Sequence, residues 1–259
     1  MSEANPISSQ ETSGPESVQE SLQRKAQDLS RSNDDLKQFA YVASHDLQEP
    51  IRMVVRYSQL LEKHLKGKLD AQSSEYLNFV VDGANRMQNL ISDLLAYSVV
   101  DTRLEPLVKI NAEKIFQHAM KNLQLAIAES SAEIICDSLP PVWANPVQLT
   151  QLFQNLVGNS VKFRRDKHPK IHIRAQHKDN EWLFSIQDNG IGLDEQYAKR
   201  IFEIVQRLHT REEYPGTGIS LAICKKIVER HGGRIWVKSI LSEGATFYFT
   251  IPVKNAGHD

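Results

Sequence analysis

Apolar residues in the first hundred positions recur every three, four or seven residues. Beyond Asp101–Pro106 that periodicity gives way to short alternating strands and helices. Two such periods in that order ask for a helical part followed by a layered part of mixed helix and sheet. Val18, Leu22, Leu29, Leu36, Phe39 and Ala43 share one heptad seam, interrupted by Lys25 and Ser32. The seam predicts a modest coiled coil over residues 17–44 that runs on into a bundle helix, which Pro50 can kink. A second long helix is predicted from Ala71 to about Val100, with a stripe through Tyr76, Val80, Met87, Ile91 and Leu94. A hairpin of two such helices covers its own apolar faces poorly. A four-helix bundle made by a homodimer is the expected solution.

Residues 1–16 are rich in Ser, Glu, Gln and Pro, lack apolar periodicity and are expected to form a mobile tail. After the linker, helices are predicted at about 111–130, 146–165 and 219–231. Strands are predicted at Ile134–Cys136, Ile171–Gln176, Trp182–Gln187, Arg234–Ser239 and Thr246–Ile251. The fold class is therefore α+β: a helical-hairpin dimerisation domain at 34–101, then an α/β sandwich at 107–254 with helices on one face of a mixed sheet. The chain has 259 residues, of which 41% are apolar, enough for a sizeable core. Lys plus Arg at 31 nearly balances Asp plus Glu at 32, giving a net charge of −1. That balance gives no electrostatic case for nucleic acid as a partner. No apolar run reaches the roughly 20 residues of a membrane span. Cys136 and Cys224 form neither a disulfide framework nor a metal set, which fits a reducing, cytoplasmic setting.

Four groups of residues carry chemical interest. On the helix at 146–165, Asn155, Asn159 and Lys162 fall within about 60° of one another, opposite an apolar face of Leu149, Leu152, Phe153, Leu156 and Val161. Two carboxamides and an ammonium suit a metal-phosphate unit, although a solvated helix face reads the same way. Asp188-Asn189-Gly190-Ile191-Gly192 follows a strand. It is either a simple turn or a corner where a ligand approaches closely and a buried Asp accepts from an exocyclic amine. Gly216-Thr217-Gly218 precedes a helix and offers free N–H groups to an anion, or is a flexible loop. Between these two motifs, two dozen residues containing Arg200, Arg207, His209 and Arg211 are long enough for a lid. Finally, His45 beside Asp46 pairs an imidazole with a carboxylate that can orient the ring and take its proton, leaving the other nitrogen as nucleophile. None of the nine histidines has a HExxH or paired-ligand spacing, which disfavours zinc.

Together these groups resemble, in order and separation, the transmitter module of sensor histidine kinases in two-component systems. The resemblance runs over about residues 34–253 and is strongest to the soluble transmitters of bacterial phytochromes. FAYVASHDLQEPIR resembles the phosphoacceptor box, QLFQNLVGNSVKF the asparagine box, DNGIG and GTGISLAICKKIVERHGG the two glycine boxes, and GATFYFTIP the closing strand. The resemblance implies a Bergerat-type ATP fold of the GHKL superfamily joined to a dimeric helical hairpin. It implies autophosphorylation of His45 with Asp46 as acid–base neighbour, and transfer onward to the receiver domain of a response regulator. It gives ATP and Mg²⁺ as cofactors, with Asn159 on the metal, Asn155 and Lys162 at the triphosphate, and Asp188 on the adenine amine. Phe163 would pack on the adenine ring, Thr246 would lie near it, and Arg207 would steady the transferred phosphoryl group.

Two positions depart from the family pattern. Ser220 stands where the second glycine box ends in Gly, and Val205 stands where an aromatic lid anchor is common. Both bear on nucleotide affinity more than on fold. Two alternatives stay open: a dimeric phosphotransfer scaffold with a degenerate ATP domain, and a hydrolytic ATPase of the same superfamily. Asn155 disfavours the hydrolase, because an amide is a poor base for activating water. The input is expected from a separate sensory protein or from an N-terminal sensor domain that has been removed.

Overall fold

The computed structural model describes residues 20–21, 23–25, 46–102, 105–165, 168–206, 208, 213–214 and 216–253. The tail at 1–16, nearly all of the heptad segment, His45, Arg207, His209 and Arg211 lie outside the described residues. Helix α1 spans 46–65 and continues through Pro50. The chain reverses where Lys68 N donates to the Leu65 carbonyl at 2.9 Å and Gly67 takes a φ of 75°. Asp70 Oδ1 then accepts from Ser73 N at 2.6 Å, capping helix α2, Ala71–Thr102. Val55, Ser58, Val81 and Ala84 form the buried seam of this hairpin. Tyr57, Leu60, Leu61, Tyr76, Phe79 and Val80 stay 50–60% exposed, so an apolar face is left uncovered.

The second part begins with β1, Val108–Asn111. The Asn111 side chain accepts from Lys114 N and starts α3, Ala112–Asn122. The single helix expected over 111–130 is in fact two. Leu123 leaves helical geometry at φ −97°, ψ 3°, its N–H shared between the carbonyls of Ala119 and Met120, and α4 follows at Gln124–Ser130. After β2, Glu133–Cys136, and β3, Pro141–Ala144, comes α5, Pro146–Lys162. Strands β4, Lys170–Lys178, and β5, Glu181–Asp188, form a hairpin closed by Asp179 and Asn180. Single 3₁₀ turns at Glu195–Tyr197 and Arg200–Phe202 precede α6, Ser220–Arg230, and the strands β6, Ile235–Ile240, and β7, Gly244–Pro252.

The main sheet has the order β2-β4-β5-β7-β6, with β2 parallel to β4 and every other pair antiparallel. Strands β1 and β3 form a separate antiparallel pair, a feature not anticipated above. Along β7, Phe247, Phe249 and Ile251 face the core. Thr250 breaks the expected alternation: it is buried, and its hydroxyl accepts from Arg234 N at 3.1 Å. Phe153 of α5 sits at the centre of the core, edge-on to Phe116, Phe184 and Phe249, while Phe184 and Phe249 stack at 4.7 Å. Truncating a fully buried ring of this kind costs about 3–5 kcal/mol.

A polar latch joins the end of α2 to this α/β body. The Val100 carbonyl accepts from Gln148 Nε2 at 3.0 Å and from Arg230, while the Tyr97 carbonyl accepts from Lys226 at 2.8 Å. Asn145 caps α5 through Val147 N and Gln148 N, with Pro146 at the first helical position. Its own amide reaches Glu105 at 2.8 Å. Beneath lies buried His231, which accepts from Asn145 N at 3.0 Å on Nε2 and lies 2.7 Å from the Ile227 carbonyl on Nδ1. This pairing uses the neutral ring, and burial holds the His231 pKa below its ordinary value. A depressed histidine stabilises the fold above its unfolded value of about 6.5, and that contribution is lost as pH falls below it. Urea unfolding of wild type and His231→Gln is expected to show a gap of about 1–3 kcal/mol at pH 7 that narrows by pH 5.

Candidate functional site

At the end of β5 the chain crosses two neighbouring segments at backbone contact. A Cβ on Gly190 would lie 2.4 Å from the Phe163 carbonyl oxygen, and one on Gly192, at φ 66°, would lie 2.1 Å from that of Ile240. These glycines are required by the crossing itself, not only by the approach of a ligand. Asn189 is occupied structurally, accepting from Lys170 N at 2.8 Å and donating to the His168 carbonyl. The fold thereby holds Asp188 in one orientation. Its Oδ1 accepts from Gly190 N at 2.9 Å and Ala245 N at 3.1 Å, and its Oδ2 accepts from Ser160 Oγ at 3.0 Å. Burial raises the Asp188 pKa, and these three hydrogen bonds oppose the rise.

Asp188 lines a cavity of about 440 Å³, a volume suited to a small organic ligand. Asn155, Asn159, Lys162 and Phe163 line the same cavity, as do Gly192, Gly216, Thr217, Gly218 and Ser220. The polar row on α5 is thus half-buried against a cavity and is not a solvated face. Asn155 Nδ2 donates to the Ser220 carbonyl at 3.3 Å, which ties the row to the start of α6. Asn159 Nδ2 is buried without a hydrogen-bond partner among the described residues, as expected of a group held for a ligand. Lys162 Nζ lies 4.3 Å from the Phe163 ring centre and would be 2.5 Å from a Cβ on Gly216, so the ammonium closes on the glycine loop. Ile219, before α6, gives no side-chain cap to the helix N-terminus.

Two sequence-predicted residues do not line the cavity. Thr246 lies in β7 between Ala245 and Phe247, which do line it, and strand alternation turns Thr246 to the other face. Gly190 acts through its backbone alone. Asp46 is exposed on α1. The cavity also gathers residues that sequence reasoning missed, Tyr214 between the two glycine motifs and Asn89, Ser92 and Asp93 from α2, while buried Ser160 fixes Asp188 from behind without lining it. The Tyr214 ring lies 5.1 Å from Phe163, and its hydroxyl donates to the Arg164 carbonyl at 3.2 Å. The aromatic contact to Phe163 thus comes from Tyr214 and not from position 205. Burial pushes the Cys136 thiol up to about 11 and the Cys224 thiol up to about 12, so neither is a thiolate nucleophile at neutral pH.

Val205 carries backbone strain. It is 60% exposed and takes a φ of 63°, a left-handed conformation that β-branched residues avoid, while its N–H donates to the Gly218 carbonyl at 3.1 Å. Asn tolerates this region, so Val205→Asn is expected to stabilise the protein by about 1 kcal/mol, read as a rise in thermal midpoint.

Residues 144–255 match the family described as histidine kinase-, DNA gyrase B- and HSP90-like ATPase, and residues 35–103 match the His Kinase A (phospho-acceptor) domain. These two domains, in this order, make the chain a transmitter module of the sensor histidine kinase type. It is 57% identical over 232 residues to cyanobacterial phytochrome A of Nostoc sp. (strain PCC 7120), covering 90% of this chain and 30% of the relative. It is 50% identical over 236 residues to phytochrome-like protein Cph1 of Synechocystis sp. (strain PCC 6803), covering 91% and 32%. The chain therefore spans about a third of the length of these relatives. Among solved structures it resembles full-length ShkA in complex with AMPPNP, at 25% identity and a TM-score of 0.65, over 85% of this chain and 47% of that one. It shares its fold with histidine kinase ThkA, solved with the response regulator TrrA, at 22% identity and a TM-score of 0.61, over 95% and 69%. No helix among the described residues is long and apolar enough to cross a membrane.

Proposed function

We propose that this chain is an ATP-dependent protein-histidine kinase that phosphorylates its own His45 and passes the phosphoryl group to an aspartate of a response regulator. The observation that carries the reading is the single cavity that gathers Asn155, Asn159, Lys162 and Asp188, in a chain that also has the family's phosphoacceptor domain. In this reading the Asp188 carboxylate accepts from the adenine amine, Phe163 packs on the ring, and Lys162 and Asn155 meet the triphosphate at the α6 N-terminus. Among the described residues no group of three acidic, His or Cys side chains could hold a metal by itself. A bound Mg²⁺ would therefore rest on the phosphates, with the Asn159 amide as its protein ligand. Its contribution would be to neutralise charge on the β- and γ-phosphates.

The unprotonated His45 nitrogen attacks the γ-phosphorus, forming the N–P bond as the bond to the β,γ-bridging oxygen breaks and ADP departs. Asp46 holds and then accepts the proton of the other ring nitrogen. Arg207 steadies the charge on the transferred group. Asn155 withholds base catalysis from water, which keeps the γ-phosphate for His45. The exposed faces of α1 and α2 support a homodimer. The response regulator is the acceptor implied by the family, and the setting is cytoplasmic. Input reaches the hairpin from a sensory domain or protein.

Incubation with γ-labelled ATP and Mg²⁺ is expected to give acid-labile, alkali-stable label on wild type and none on His45→Ala. Absence of label from folded, dimeric wild type would favour a phosphotransfer scaffold with a degenerate ATP domain. Phe79→Asp, which places a charge in the uncovered apolar face, is expected to shift the chain from dimer to monomer in light scattering.

A further inference from the structure

The α/β part does not build its cavity alone. Asn89, Ser92 and Asp93 of α2 form one wall of it, and Ala96, Tyr97 and Val100, the next residues on the same helix face, pack against the α/β core. Asp93 Oδ2 accepts a short hydrogen bond from Thr217 Oγ, and Thr217 Oγ in turn accepts from Ile219 N at 3.4 Å. Thr217 belongs to the glycine loop that leads into α6, and the Lys162 ammonium lies against that loop at Gly216. A carboxylate from the helical hairpin thus occupies the neighbourhood of a helix N-terminus and an ammonium, where an anionic group is stabilised. Partial burial raises the Asp93 pKa, and the hydrogen bond from the Thr217 hydroxyl opposes the rise.

We propose that Asp93 is a phosphate-repelling gate in this cavity: while α2 is docked, its carboxylate holds Thr217 and opposes the entry of nucleotide phosphates but not of the nucleoside. The inference rests on the nucleotide reading of the site and extends it to selectivity and control. The triphosphate carries several negative charges, and a carboxylate a few ångströms away disfavours it even in a partly hydrated site. Adenosine, held by Asp188 in the nucleotide reading, carries no such charge. By linkage, phosphate binding loosens the docking of α2 by the same factor that docking weakens phosphate binding. A rearrangement of the hairpin that carries Asp93 away from Thr217 therefore tightens the nucleotide.

Calorimetric titration of the full chain with adenosine, ADP and ATP, each with Mg²⁺ and with EDTA, tests the gate. Asp93→Asn keeps the shape and a hydrogen-bonding group but removes the charge. It is expected to tighten ADP and ATP about five- to tenfold, with and without Mg²⁺, and to leave adenosine unchanged. Asp93→Ser should do the same, and thermal midpoints confirm that both variants are folded. Weaker ATP binding in the variants with Mg²⁺ alone would overturn the gate and make Asp93 a cation ligand. An equal change for adenosine and ATP would overturn it in favour of a purely structural contact, and no change for any ligand would also overturn it. If wild type and variants bound none of the three, the nucleotide reading itself would fall, whereas equal binding by all of them removes only the gate.

Discussion

The Val100 carbonyl, at the end of α2, is the point on which the relation between the two parts of this molecule depends. It accepts from Gln148, near the start of α5, and from Arg230, in the last turn of α6. The two helices that flank the cavity therefore grip one end of the helical hairpin. Lys226 adds a second grip one turn earlier, with its ammonium on the Tyr97 carbonyl and 4.1 Å from the Tyr97 ring. The Val100 carbonyl is among the last four of α2, which an α-helix leaves open, so its bonds add partners without breaking an intrahelical one. Neutral His231 supports the assembly from beneath, holding the backbone of the residue that caps α5.

With that grip in place, the cavity follows from close backbone crossings. Gly190 lets the turn after β5 pass the Phe163 carbonyl, and Gly192 lets it pass the Ile240 carbonyl. Asp188 is locked between them by two backbone N–H groups and Ser160. A carboxylate fixed by donors on both oxygens presents a defined acceptor, where a free side chain would sample several rotamers. The asparagine row on α5 meets the same space because the opposite face of that helix is committed to the Phe153 core.

Much of this was legible in the sequence wherever one period ruled a segment. The stripe of α2, the amphipathic α5 and the alternation of β7 could each be read from residue spacing. What was not legible lay where the period continues but the backbone does not. Leu123 keeps the apolar spacing of a single helix, and only its shared N–H marks the break between α3 and α4. Strands β1 and β3 are four residues each, too short to show alternation against their proline neighbours. Thr246 was placed at the cavity because a motif runs through it, yet the pleat turns it away and presents Ala245 and Phe247 instead. Asp93 was unreadable for a different reason: an acidic residue on a long helix has the spacing of any solvated face, and only tertiary docking gives it Thr217 as a partner.

Two stripes therefore share α2. One, through Tyr76, Phe79 and Val80, is the apolar face left uncovered by α1, and the other, through Asp93, Tyr97 and Val100, faces the α/β part. A rigid helix cannot turn one stripe without turning the other, since each residue advances about 100°. Rotating α2 by one such step would take Asp93 off Thr217 and bring Ser92 or Leu94, both uncharged, toward its place. The same step strips the Val100 and Tyr97 carbonyls of their side-chain donors, so undocking and removal of the negative charge are one event. Any repacking of the hairpin thus alters the electrostatics of the cavity without itself touching what the cavity holds, because both faces belong to a single helix.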